Sequence, residues 1–165
     1  MKFAIAMIAA VLIAGLGAGS AAQAASSNDQ SFVNTAQSDL LGQYAIAALA
    51  RSKASNANAK ALASEIATNA DTANTWLKKY AASHNITLEN KPPTRADMQY
   101  GSLQSSTGSS FDQQFAQDVN VDTQMQVGDF QDAASSASDP ELKSFAKQQL
   151  AELQKFTAAA SKLSH

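Results

Sequence analysis

An all-α fold, a four-helix bundle of two helical hairpins joined by a long crossover, is predicted by three features of this chain. The composition is rich in alanine and poor in aromatics, with 45% hydrophobic and 7% aromatic residues. All three prolines, Pro92, Pro93 and Pro140, fall at breaks in the pattern. Between the breaks run four apolar stripes at three- and four-residue steps, the period of one face of a helix.

The first element is a leader. Met1 to Ala24 reads as a secretory signal peptide, with Lys2 as a short positive region, an uncharged apolar run from Phe3 to Leu16, and a small-x-small cleavage site at Ala22-Gln23-Ala24. The apolar run falls short of the roughly 20 residues that span a bilayer, and Gly15, Gly17 and Gly19 interrupt it. No integral membrane segment is therefore expected after cleavage. Cysteine is absent, so neither a lipid anchor nor a disulfide is available, and the mature protein is expected to be periplasmic or secreted. Removing 24 of the 165 residues leaves 141 as one domain, 25–165, with a net charge near −3 once Lys2 is lost. That charge argues against nucleic acid or an anionic membrane as the principal partner.

The first mature helix is expected from about Asp29 to Ala54, with Phe32, Val33, Ala36, Leu40, Tyr44, Ala47 and Ala54 on one face and a capping box in Ser27-Asn28-Asp29-Gln30. After a break at Ser55-Asn56, with Ser55 as cap, Ala59, Leu62, Ile66, Ala70, Ala73, Leu77 and Tyr80 form the second stripe, and the two helices should pair antiparallel. Periodicity is lost over about 86–110. Lys91-Pro92-Pro93 stops a helix, and Gly101 to Ser110 is rich in serine and glycine, so this stretch reads as an irregular connection long enough to cross the bundle. A third helix begins near Ser109 with Phe111, Phe115, Val119, Thr123, Val127 and Phe130 in its stripe. The fourth starts at Ser138-Asp139-Pro140-Glu141, where a cap, a first-turn proline and a dipole-matched glutamate coincide, and continues through Leu142, Phe145, Ala146, Leu150, Leu153, Phe156, Ala160 and Leu163.

Hairpin, long crossover, hairpin is the connectivity of ferritin-like bundles. Particular residues point the same way: Ser31-Phe32-Val33 with Leu49-Ala50 and Lys60-Ala61-Leu62-Ala63, then Gly108-Ser109-Ser110-Phe111-Asp112, then Asp139 to Ala146 with Leu150 and Leu153-Gln154. Together, from Ser31 to about Leu163, they resemble the exported bacterial family called domain of unknown function 4142. The resemblance implies a ferritin-like helical bundle of the outer membrane or periplasm with no assigned biochemical role. It also implies polar, potentially ligating residues at places where this chain has Gln43, Asn69-Ala70, Asp122-Thr123, Ala151 and Phe156. Of these only Asp122 keeps its type, and every histidine the resemblance would supply is gone.

The residues alone give the same picture. A di-metal bundle needs inward glutamates and Glu-x-x-His pairs, and none of the latter occurs. His84 and His165 are the only histidines, read as solvent-facing or capping. No motif activates the abundant serines, and no phosphate-binding glycine loop exists. No cofactor, no metal and no catalytic residue is expected, and the chain is read as an exported, non-catalytic protein with a structural, stress-related or interaction role and a protein partner in the cell envelope. The alternative is a metal-handling ferritin-like protein with an atypical carboxylate site drawn from Asp71, Asp118 and Asp122. Asp118, Asp122, Asp129 and Asp132 span about 80° of one helix face. They read as a solvated stripe facing the fourth helix, with Asp132 near Lys143, Asp129 near Lys147 and Asp122 near Lys155. Trp76 reads as an edge of the core, or else as an interaction patch with Tyr80 and Tyr100.

Overall fold

A computed structural model describes residues 25–163, so the leader reading on 1–24 and His165 lie outside the described residues. Five helices and no strand occur among the described residues: α1 Ser27–Lys53, α2 Ala57–Ser83, α3 Thr94–Ser105, α4 Gly108–Ser136 and α5 Pro140–Leu163. Helices α1 and α2 pack as one hairpin and α4 and α5 as another; the hairpins meet mainly through α1 against α4 and α2 against α5. No helix of the described residues is long and apolar enough to cross a membrane.

The element starts follow local chemistry, with two corrections to the expected caps. Ser26, not the box at 27–30, caps α1 by accepting from the Asp29 amide at 3.1 Å. Asn56, not Ser55, caps α2 by accepting from the Asn58 amide at 2.8 Å. At α5, Asp139 accepts from the Glu141 amide at 2.7 Å and Pro140 takes the first helical position, where its missing N–H costs nothing.

The larger correction concerns the crossover. Residues 94–105 form α3, which Pro93 precedes as the N-cap residue, and the helix lies against α1 and α4. Only Ala96 and Leu103 of α3 are buried, so no apolar stripe announces it. It passes close to Gly42 of α1, where a Cβ would sit 2.6 Å from the Ala96 Cβ; glycine is what lets this helix lie so near. The other stripes are buried as expected except Tyr44, which is 45% exposed, and Phe32, Val127, Leu150 and Leu163, which are half-buried.

The core divides along the bundle into two apolar clusters. Ile46, Ala50, Leu62, Ile66, Phe111, Phe115 and Phe156 belong to one. Val33, Leu40, Leu77, Phe130, Leu142, Phe145 and Leu153 belong to the other. The long helices thus contribute to both clusters, and polar side chains fall between the two.

The two hairpins are also related in sequence. Ser-Ser-x-Asp-Gln-x-Phe occurs at 26–32 and again at 109–115, and with the same offset of 83 residues Asp39 matches Asp122, Gln43 matches Gln126, and Ala54-Ser55 matches Ala137-Ser138. The contacts obey this equivalence. Buried Asp112 accepts from the Ser55 amide at 2.9 Å, the Asn56 amide at 2.9 Å and the Ser55 hydroxyl. Buried Asp29 accepts from the Ser138 amide at 3.2 Å and the Ser138 hydroxyl. Each hairpin therefore closes the turn of the other, the reciprocity of a two-fold interface within one chain. The core residues are not equivalent in size: α4 and α5 bury Phe111, Phe115, Phe130, Phe145 and Phe156, whereas α1 and α2 bury mostly alanine with a few larger aliphatics and Tyr80.

Candidate functional site

Between the two apolar clusters lies a layer of polar side chains drawn from all four long helices. Gln43 of α1 donates its amide to the Gln126 carbonyl of α4 at 2.7 Å, both buried. Asn69 of α2 donates to Gln149 of α5 at 3.0 Å, and the Thr123 hydroxyl of α4 lies 2.8 Å from that of Thr157 on α5. Thr123 is further tied to the Val119 carbonyl at 2.8 Å, as a threonine inside a helix can be. The Gln43–Gln126 pair is buried, while Asn69 and Thr157 are half-buried; such amide and hydroxyl pairs satisfy one another without charge, and an amide pair has no proton to trade near neutral pH.

Beside this layer sits a cavity of about 20 Å³ lined by Gln43, Ile46, Ile66, Phe115, Val119, Asp122, Thr123 and Phe156. The structure thus brings together four of the positions singled out by sequence, Gln43, Asp122, Thr123 and Phe156. Ala70 is fully buried in the other apolar cluster, and Asn69 turns to Gln149 instead. The space matches one water molecule, not a substrate.

The donor set does not fit the carboxylate–histidine centre that a ferritin-like bundle implies. Asp122 is the only carboxylate lining the cavity, and its Oδ1 already accepts from Arg95 Nε at 2.8 Å and Gln99 Nε2 at 3.1 Å. No histidine lines it. Asp118 stands one turn earlier, half-buried, with its carboxyl pushed up to about 6 by burial and by the neighbouring charge of Asp122. Asp71 is exposed on α2. Among the described residues no group of three or more histidine or acidic side chains is placed to hold a metal ion.

The acidic stripe of α4 faces a different neighbour from the one expected. None of its carboxylates forms an ion pair with Lys143, Lys147 or Lys155, and Lys155 pairs instead with Glu152 on its own helix at 2.7 Å. Asp122 pairs with Arg95 of α3, and Arg95 reaches Asp39 of α1 at 3.5 Å. The reason is that α4 presents its phenylalanine face to the core shared with α5, which leaves the stripe on the flank toward α1 and α3. Two contiguous hollows follow that α1–α4 seam. One, of about 580 Å³, is lined by Asp39, Glu89, Arg95, Met125 and Asp129 among others. The second, of about 360 Å³, shares Thr35 and Asp129 with it and adds Asp132 and Phe32. Burial, only partly offset by Arg95 and reinforced by the charges of Asp129 and Asp122, pushes the Asp39 carboxyl up to about 6.

At the far end of α2, His84 is the residue that ends the helix, and its Nε2 lies 3.1 Å from Asp139 at the start of α5. Trp76 stacks between Tyr80 and Phe145, with ring centroids 5.1 and 4.3 Å apart, and is half-buried at the edge of the core, as one of the two readings expected. Burial and the nearby Asp139 carboxylate raise the Tyr80 phenol above its ordinary range. Sequence reasoning missed Arg95, Gln99 and Gln126. The repeat of Ser-Ser-x-Asp-Gln-x-Phe was the available signal, because it pairs Gln43 with Gln126 and Asp39 with Asp122 directly.

Comparison with known proteins gives a family and a fold. The family model described as domain of unknown function (DUF4142) matches residues 15–163. A crystal structure of a DUF305 fragment from Deinococcus radiodurans is similar with a TM-score of 0.77 at 14% identity, covering 86% of this chain and 98% of that one, a likeness of fold alone. No curated protein matches the sequence.

Proposed function

Because this chain belongs to the DUF4142 family, whose name assigns no activity, we propose from its own geometry that it is an exported, non-catalytic bundle of ferritin-like topology. On this reading it works in the cell envelope through its surface, by contact with a protein partner, and not through its interior. The observation that carries the reading is the central layer. Gln43–Gln126, Asn69–Gln149 and Thr123–Thr157 close with neutral pairs the place where a di-metal bundle keeps its ligands, and about 20 Å³ is left over. Export is supported by the leader-like segment, and the first helical cap, Ser26, follows directly on the proposed mature start at Ala25. N-terminal sequencing of the protein from a periplasmic fraction tests that step, and an intact Met1 refutes it.

The experiment that tests the interior is elemental mass spectrometry on the mature chain, with thermal melts in chelator and in added iron, manganese, zinc and calcium. A ligand that binds only the native state must raise the melting temperature. The expected outcome is a metal-free protein whose melts do not move. Stoichiometric metal with a shifted melt would overturn the proposal and make Asp118 and Asp122 the first residues to substitute.

A further inference from the structure

Helix α3 lies over one half of the α1–α4 seam, and the residues that fix it there have their mates, at the offset of 83, in the other half. Arg95 donates to Asp122 at 2.8 Å, and the mate of Asp122 is Asp39. Ala96 lies on Gly42, whose mate is Met125. Gln114, which bonds both Ser102 and Ser106, has Ser31 as its mate, and Lys53, which donates to the Leu103 and Gln104 carbonyls, has Ser136. Asp39 and Met125 line the first hollow of the seam, and Ser31 and Ser136 line the second.

The internal two-fold relation thus carries the bed of α3 onto the open hollows. They run along α1 from Asn28 to Asp39, about 18 Å, which is the length of the 12-residue α3. One seam holds two equivalent helix beds, and α3 occupies one. The place of a second α3, 83 residues before the first, falls at 11–22, inside the leader that the proposed cleavage removes.

The open bed differs from the filled one in charge and relief, and the differences describe its occupant. At the mates of Asp129 and Asp132 stand Ile46 and Leu49, which pack in the apolar cluster that takes in Ala96 and Leu103 of α3. The open half has the two carboxylates there instead, both exposed. No base lines the second hollow, and Arg95 is the one base lining the first. Where Gly42 lets α3 approach the backbone, Met125 projects, 53% exposed, with an unbranched thioether that adapts to varied apolar surfaces. We propose that the open half of the α1–α4 seam is the docking site for a helix of a partner protein, basic at its start beside Asp39 and Asp129 and apolar where it crosses Met125. The proposal rests on the reading that the mature chain acts through a protein partner, and it names the surface and the partner's chemistry. The docked helix runs from the middle of the seam outward, as α3 does in the opposite direction, and ends by Ser31 and Ser136.

Nuclear magnetic resonance of the isotope-labelled mature chain tests the site. The probe is a synthetic peptide of residues 93–106, made more helical by Gly101→Ala and more basic by Asp97→Lys. Saturable shifts are expected in the amides of 28–39 and 125–137 and not along α2. Asp129 and Asp132 pair with no base among the described residues. Their joint substitution, Asp129→Asn with Asp132→Asn, should weaken binding about two- to thirtyfold, and added salt should weaken it as well. No saturable shift at millimolar peptide, shifts confined to the bed of α3, or an affinity unmoved by the double substitution would overturn the proposal. So would shifts of the same amides on concentrating the protein alone, which would give the site to a second copy. Any of these failures in a metal-free protein removes this site and leaves the non-catalytic reading standing, whereas stoichiometric metal removes that reading whatever the peptide does.

Discussion

Replacing Gly42 by alanine sets two effects of opposite sign against each other, and the structure says which wins. By intrinsic preference alone, alanine in a helix interior is favoured over glycine by about 1 kcal/mol. The new methyl, however, would lie 2.6 Å from the Ala96 Cβ and 3.3 Å from the Pro93 Cδ. Carbon atoms rest at about 3.5–4.0 Å, so α3 must retreat by roughly 1 Å. That retreat would stretch the 2.8 Å bond between Arg95 and Asp122 beyond hydrogen-bond range and lift Leu103, which is fully buried. Overpacking of this kind costs about 1–3 kcal/mol, and the strained ion pair adds to it. We expect Gly42→Ala to lose about 1–2 kcal/mol net, a fall of about 3–6 °C in Tm for a chain of this size. Urea and thermal melts followed by circular dichroism measure it. Adding Ala96→Gly should recover part of the loss, although Ala96→Gly alone costs about 1 kcal/mol. A Gly42→Ala protein as stable as the parent, or a double substitution with strictly additive costs, would refute the close-approach argument.

Three further outcomes follow from the same geometry. Gln43→Leu strands the buried Gln126 amide and should cost about 1–3 kcal/mol, whereas Gln43→Leu with Gln126→Leu should cost much less, because no unpaired group remains; urea melts separate the two. Asp112→Ala removes the acceptor for the Ser55 and Asn56 amides and should cost about 2–3 kcal/mol, with Asp29→Ala somewhat milder because Asp29 holds one backbone amide and not two. Asp118, raised from 3.8 to about 6, binds its proton more tightly folded than unfolded, so its stabilising share is complete below pH 3.8 and lost as the pH rises through 6. Asp118→Asn should therefore reduce the difference in unfolding free energy between pH 4 and pH 7 by about 1 kcal/mol, after allowance for its partial exposure.

The long helices were legible because each buries a face of alanine and large apolar side chains at a regular period, and α5 was the clearest because cap, proline and acid coincide at Ser138 to Glu141. Helix α3 was not, for a physical reason: two buried residues cannot make a stripe, and its serines and glycine carry the composition of a loop. The acidic stripe was found but aimed wrongly, since one helix's periodicity does not say which neighbour lies on which flank. Arg95 lies 56 residues from Asp39 and 27 from Asp122, separations at which no local pattern speaks. The motif at 26–32 and 109–115 does speak at that range, and comparing the chain with itself would have paired Gln43 with Gln126 and Asp39 with Asp122, though not Asn69 with Gln149 or Thr123 with Thr157.

The exchanged turn clamps bear on how the protein comes apart. Asp29 satisfies a turn 109 residues further along the chain, and Asp112 satisfies one more than 50 residues before it. A hairpin formed alone would leave its own turn amides waiting for the other, and its alanine-lined or phenylalanine-lined face without a complement. Neither half is then a stable way-station, and the four long helices are bound to melt in one concerted transition, with loss at one end of the bundle felt at both turns.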